Sequence, residues 1–239
     1  MNNHKHPIKA LLFDVFGTLV DWRSSIAREA RELLSPLGIA IDWERFADAW
    51  RDQYQPAMEA VRSGALPFSK LDVLHRRNLD IVLANLDLGR IDELTRRKLN
   101  LAWHRLDPWP DVASGLSRLR TRFRIAPCSN GNISLMVDLA RRNAFPWDAI
   151  LGAEIARDYK PKPIVYLTAA EAFDCEPRET MMVAAHSSDL GAAASVGLRT
   201  AFIARPDEHG PGTGESSASV PVDHAAASLH DLADQLGCA

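Results

Sequence analysis

The stretch Ala10-Leu11-Leu12-Phe13-Asp14-Val15-Phe16-Gly17-Thr18-Leu19 decides how the chain is read. Four apolar residues stopped by an acid and then a glycine have the length and flanks of a strand buried on both faces of a parallel sheet. In open α/β sheets ligands bind beyond the carboxyl ends of such strands. Asp14 is therefore the first candidate functional residue. Downstream, from Trp22 to about Arg105, nothing reads as a strand. Helical spacing predicts helices over 23–37, 43–62, 68–87 and 91–105, with breaks at Ser35-Pro36-Leu37-Gly38, Ser63-Gly64 and Leu88-Gly89. Leu71, Leu74, Leu79, Val82, Leu83 and Leu86 fall on one face of the third.

Past Pro108-Trp109-Pro110-Asp111 the pattern changes. Strands are expected over 124–128, near 149–151, over 180–184 and over 200–203. Helices are expected over 112–121, 133–143, 164–173, 190–196 and 228–236. Such alternation builds βαβ units. The expected fold is α/β, a doubly wound Rossmann-like parallel sheet core formed by 1–22 and 106–239. An all-helical cap domain, 23–105, is inserted after strand one. The segment 205–220 carries Pro206, Gly210, Pro211, Gly212 and Gly214 and reads as a long surface loop.

The 239 residues carry a net charge of −3, with 46% hydrophobic and 25% charged residues. This balance excludes a strongly basic nucleic-acid binder and a polybasic membrane patch. Cys128, Cys175 and Cys238 are too few and too scattered for a disulfide framework or a paired-cysteine metal site. The expectation is a reduced, cytoplasmic chain. Segment 1–9 is polar, and the apolar run after it ends at Asp14, well short of a signal peptide or a membrane span.

Each strand end offers chemistry to one crevice. Asp14-Val15-Phe16-Gly17-Thr18 follows strand one, and Ser129-Asn130-Gly131 follows strand two. Asp158-Tyr159-Lys160-Pro161 precedes the helix after strand three, and Ala185-His186-Ser187-Ser188-Asp189 follows strand four. An aspartate on a tight turn becomes a nucleophile when a cation keeps it ionised and aimed. Lys160 is the natural counter-ion, and Asp189 is placed to orient Lys160. Thr18 and Ser129 can hydrogen-bond a carboxylate's spare lone pairs. Backbone N–H groups of Val15 and Phe16 face an anion bound beside Asp14. Trp22, Tyr54 and Gln55 are further candidates for the pocket wall, although large aromatics also serve as plain core. The remaining histidines at 75, 104, 209, 224 and 230 have no partners at ligand spacing and read as surface or packing residues.

These motifs resemble the haloacid dehalogenase superfamily, and within it the L-2-haloacid dehalogenase (type II) family. The resemblance rests on Asp14…Gly17-Thr18, Ser129-Asn130-Gly131, Tyr159-Lys160-Pro161…Tyr166 and the cap motif Trp50-Arg51, in that family's order along the chain and each at a strand end or facing it. It implies a two-step hydrolysis of short 2-haloalkanoic acids without cofactor or metal. Asp14 displaces the halogen to form an ester, and water then releases the 2-hydroxy acid. Arg51 receives the halide from the cap, and Ser129 with the amides of Val15 and Phe16 holds the substrate carboxylate. Lys160, Asp189, Asn130 and Thr18 keep Asp14 in place, and Tyr166 belongs to the same site. The resemblance further implies a homodimer whose small-molecule partners are the haloacid and the halide.

The rival within the superfamily is a magnesium-dependent phosphatase of a small phosphorylated metabolite. Phosphatase relatives carry a second aspartate two positions after the nucleophile, where Phe16 stands, and a magnesium carboxylate where Ala185 stands. One departure from the type II pattern is Ala184-Ala185-His186, where many members read Ser-Ser-Asn. His186 is expected to reach Asp14 and to position the hydrolytic water or assist the departing halide, its neutral form able to take a proton near neutral pH.

Overall fold

A computed structural model describes residues 7–238. The expectation for segment 1–9 falls mostly outside the described residues. Strand β1 (Ala10–Phe13) is entirely buried at the centre of the molecule. The chain turns through residues 14–19, forms β2 (Val20–Asp21) and enters the helical region. There follow α1 (Trp22–Leu34), α2 (Trp43–Asp52), α3 (Tyr54–Arg62), α4 (Leu71–Asn85) and α5 (Glu93–Asn100). Side chains of Asp21, Asp42 and Asp92 accept from the first-turn amides of α1, α2 and α5, satisfying donors that a helix start leaves free. The chain returns through a 3-10 turn (Leu101–Arg105) to β3 (Asp107–Pro108), which pairs antiparallel with β2. Exit from and re-entry to the sheet region therefore lie side by side.

The second half builds α6 (Val112–Arg120), β4 (Arg124–Ser129), α7 (Ile133–Asn143), β5 (Leu151–Gly152), α8 (Ala153–Ala156) and α9 (Pro163–Glu171). It continues with β6 (Thr180–Ala184), α10 (Ser187–Ser195), β7 (Arg199–Ile203), β8 (His224–Ala226) and α11 (Leu229–Gln235). The sheet order is β5-β4-β1-β6-β7-β8, and all pairings are parallel. This is the doubly wound Rossmann-like core that the sequence implies. The sheet grows outward from β1 in both directions, so the switch point where ligands bind lies at the end of β1.

Alternation along the strands feeds two cores. Leu11, Phe13, Ile125, Met181 and Val183 pack with α6, α7 and α11 in a cluster that continues into the inserted helices. Ala10, Leu12, Ala126, Met182 and Phe202 face the other way, against α9 and α10.

Two expectations need correction, and one strand was not foreseen. The helix expected over 43–62 is two helices, because Gln53 donates its N–H to Trp50 in a tight turn that interrupts the helical ladder. The strand β8 has no signal in His224-Ala225-Ala226, and forms because β7 offers it a free edge. The segment 205–220 is not a simple surface loop. Arg205 and Glu208 within it are buried, and Arg205 donates to the Thr18 carbonyl (2.8 Å) and to Asp111 (2.9 Å). The carboxylate of Glu215 in the same segment accepts from the N–H and hydroxyl of Ser187 at the start of α10. No helix among the described residues is long and apolar enough to cross a membrane.

Candidate active site

The turn after β1 is fixed by the sheet at one end and by glycine geometry at the other. The Asp14 N–H donates to Val183 O (3.0 Å), extending the ladder one residue beyond the strand. Gly17 then adopts φ +84°, a conformation that L side chains rarely take. A Cβ at Gly17 would also overlap the Glu208 carboxylate. The turn aims Asp14 into a cavity of about 380 Å³ between the sheet edge and the inserted helices. Asp14, Phe16, Asn130, Lys160, Tyr166, His186 and Asp189 line it from below, and Arg51, Tyr54, Gln55 and Arg62 from above.

Both oxygens of Asp14 are held. Oδ1 accepts from Lys160 Nζ (2.8 Å), and Oδ2 from Thr18 Oγ1 (2.7 Å) and from His186 Nδ1 (3.0 Å). Burial pushes the Asp14 carboxyl up. The Lys160 ammonium and His186 outweigh this and hold it well below the usual carboxylate range. Lys160 is itself buried, which favours its neutral form, yet Asp14 and Asp189 (2.5 Å) keep it charged far above neutrality. Asp189 also accepts from the Tyr166 hydroxyl (2.5 Å). Asn130 Oδ1 accepts from the Lys160 N–H (2.8 Å) and fixes that loop to the end of β4. Thr18 Oγ1 closes the circle by accepting from Ala185 N–H (2.9 Å).

The structure thus brings together Asp14, Thr18, Asn130, Lys160, Tyr166, His186 and Asp189. Phe16 forms part of the wall. Val15 is buried in the turn, and its carbonyl accepts from Leu19 and Val20. Ser129 is placed differently from expectation. It is fully buried and its Oγ accepts from Gly131 N–H (3.0 Å), so it shapes the turn behind the cavity rather than the cavity surface.

Arg51 descends from α2 into an aromatic frame. Its guanidinium carbon lies 4.0 Å from the Tyr54 ring centroid and 5.3 Å and 5.9 Å from those of Trp22 and Phe16. Its Nη1 is buried with no hydrogen-bond partner among the described residues.

A family model for haloacid dehalogenase-like hydrolases matches residues 8–197. The chain belongs to that family. Within it, the chain is 28% identical over 232 residues to (S)-2-haloacid dehalogenase 1 of Pseudomonas sp. (strain CBS-3), covering 95% of each. A crystal structure of a defluorinating L-2-haloacid dehalogenase superposes with TM-score 0.94 at 44% identity, over 97% of this chain and 96% of that one. A second L-2-haloacid dehalogenase structure gives 0.92 at 45%, over 96% and 99%.

Many haloacid dehalogenase-like hydrolases use magnesium, which requires oxygen ligands in near-octahedral geometry. In this family member the space between Asp14 and Asp189 is filled by Lys160 Nζ, and Thr18 and His186 occupy the other face of Asp14. Residues 16 and 185 bring a phenyl ring and a methyl group. No three His, Cys, Asp or Glu side chains among the described residues are placed to hold a metal ion. The donor set does not fit a magnesium ion.

Two side chains in contact with the site escaped the sequence reading. Glu208 accepts from His186 Nε2 (2.8 Å) and Trp22 Nε1 (3.1 Å), although it lies in a segment rich in turn formers. Arg62 donates from α3 to the Lys160 carbonyl (2.9 Å), joining the upper wall to the lower. Neither belongs to a motif, and only tertiary contact gives them meaning.

Proposed function

We propose that this chain hydrolyses the carbon–halogen bond of short 2-haloalkanoic acids, giving 2-hydroxy acids through an ester on Asp14. One juxtaposition carries the reading: an ionised carboxylate held by three donors shares one cavity with Arg51, whose Nη1 has no protein partner among the described residues. In the first step an Asp14 oxygen attacks the carbon bearing the halogen. The carbon–halogen bond breaks, the carbon inverts, and the halide leaves with the electron pair toward Arg51. The ring faces of Tyr54, Trp22 and Phe16 hold the guanidinium in place for that anion. The amides of Val15 and Phe16 take the substrate carboxylate.

In the second step water adds to the Asp14 carboxyl carbon and the hydroxy acid departs. His186, in contact with Asp14, positions that water. Lys160, with Asp189, Tyr166 and Asn130 behind it, restores the aspartate to its starting place. A departing halide is already a stable anion and needs no proton, whereas an alkoxide does. Phe16 has none to give, which favours this reading over a phosphatase. The donor set around Lys160 supports a reaction without a metal.

The test is halide release from chloro-, bromo- and fluoroacetate with and without EDTA, in the native protein and in Asp14→Asn. Release is expected to be indifferent to EDTA and abolished in the variant. A requirement for magnesium, or activity that survives the substitution, overturns the reading.

The same proposal divides the chain into a cap, 23–105, and a core, 1–22 with 106–239; the β2/β3 ribbon at the crossing supports this. It takes the working form to be a cytoplasmic homodimer. The three buried, free cysteines are consistent with a reducing compartment. Sedimentation of the purified chain at the mass of a monomer would remove the dimer.

A further inference from the structure

The His186 ring bridges two carboxylates. Nδ1 faces Asp14 Oδ2 at 3.0 Å and Nε2 faces Glu208 Oε2 at 2.8 Å. Both acceptors are ionised, so the resting ring donates from both nitrogens and is an imidazolium. Glu208 is buried, and its other oxygen is occupied by Trp22 Nε1 (3.1 Å). The absent side chain of Gly17 makes the room for it. A brace between α1 and the 205–215 segment would not require an ionised side chain in this place. A buried anion aimed at a titratable ring beside the nucleophile has a chemical use.

We infer that Glu208 is a positioning residue for ester hydrolysis. It keeps Nε2 of His186 protonated and leaves Nδ1, the nitrogen beside Asp14, as the one that gives up and regains a proton. This inference rests on the reading of Asp14 as the nucleophile. Before the first step Asp14 and Glu208 both hold the ring cationic. Esterification removes the charge on Asp14, so Glu208 is the remaining anion on the ring, with Arg51 and Lys160 as nearby cations and His209 3.7 Å from Glu208. A quarter of the His186 side chain is exposed and the residue lines the cavity, which gives a proton leaving the ring a route to solvent. That is the one proton the overall hydrolysis yields.

The neutral Nδ1 then takes a proton from the attacking water as its oxygen bonds to the Asp14 carboxyl carbon. The bond from that carbon to the substrate oxygen breaks. The new hydroxyl's proton passes to the departing oxygen, leaving the hydroxy acid, ionised Asp14 and an imidazolium. The cycle consumes one water and yields one halide and one proton. Esterification thereby converts His186 from a donor that steadies the nucleophile into a base that deprotonates the water attacking its adduct.

The test is a rapid-quench single turnover with chloroacetate, following halide and the Asp14 adduct by mass, in the native protein, Glu208→Gln and Glu208→Asp. Glu208→Gln is expected to give a full halide burst, to accumulate the ester, and to slow its hydrolysis by about 10²-fold, the scale of a lost base or its orienting carboxylate. The acid limb of its hydrolysis-pH profile moves to lower pH, because the ring has lost its remaining anion. Glu208→Asp, which keeps the charge, recovers part of the rate. Ester hydrolysis at the native rate with an unmoved acid limb overturns the inference. If Glu208→Gln gives no burst, His186→Asn decides in the same assay, and native-rate hydrolysis there overturns it too. A native protein that releases halide with no adduct on Asp14 sinks the function reading instead.

Discussion

The Arg51 guanidinium carbon sits 4.0 Å from the centroid of the Tyr54 ring, while its Nη1 is buried and meets no hydrogen-bonding partner among the described residues. A planar cation stacked on an aromatic face is held by shape as well as by charge, and lysine cannot reproduce either. Arg51→Lys is therefore expected to slow halide release from chloroacetate by on the order of 10²–10³-fold in kcat, as for loss of a preorganised donor to a developing anion. Burst kinetics check this, and a burst rate within threefold of native, roughly the scatter of single-contact measurements, would remove Arg51 from the first step.

Glycine at position 17 serves both the turn and the Glu208 carboxylate. Gly17→Ala combines a positive φ with an overlap against a buried side chain. A loss of about 1–3 kcal/mol is expected from overpacking alone. Chemical denaturation gives the stability, and ester accumulation in the same variant is the sign that His186 has lost its partner. Native stability would mean that the segment around Glu208 moves away freely.

His104 joins the inserted helices to the sheet region through two carboxylates. Nε2 faces Asp72 of α4 at 3.1 Å and Nδ1 faces Asp138 of α7 at 2.8 Å. Burial works against the charged ring, but the two acids prevail and raise its pKa above 6.5. The stability it adds is complete below about pH 6.5 and is lost as pH rises through the higher folded value. Asp72 is displaced the other way: burial favours its neutral form, and His104 and Asn132 outweigh this and lower its pKa below 3.8. Its contribution is present above that pH and is lost on acidification through the lower folded value. His104→Gln should lower Tm more at about pH 5.5 than at about pH 9. An equal loss at both would show that the ring is neutral when folded.

Arg62 reaches from α3 to the carbonyl of Lys160, so it couples the roof of the cavity to the residue that steadies Asp14. Arg62→Ala is expected to raise KM for haloacetate by about 10-fold, since a misplaced roof costs substrate positioning before it costs chemistry. Steady-state halide release separates the two. A fall in kcat at unchanged KM would place Arg62 in the reacting step.

Much of this was readable because the informative residues sit at strand ends. The Ala10–Phe13 run announced a central strand, and the polar residues after β1, β4 and β6 had to converge once the sheet was parallel. Position 17 could be read as a turn from its residue type. The opposite held for Glu208 and for β8. Glu208 lies 22 residues beyond His186, among prolines and glycines, where no periodicity marks one acid as different from Asp207 before it. His224-Ala225-Ala226 pairs through its backbone alone, which leaves no trace in side-chain pattern. The break at Gln53 was hidden because a one-residue turn keeps the helical composition intact on both sides.

The segment from Arg205 to Glu215 has one more consequence. Stretches dense in proline and glycine ordinarily tolerate gain or loss of residues between homologues. Here that stretch delivers a guanidinium to the Thr18 carbonyl, one carboxylate to a ring beside the nucleophile and another to the start of α10. Its length is set by three separate anchor points, so indels inside it should be rejected in any library selected for turnover.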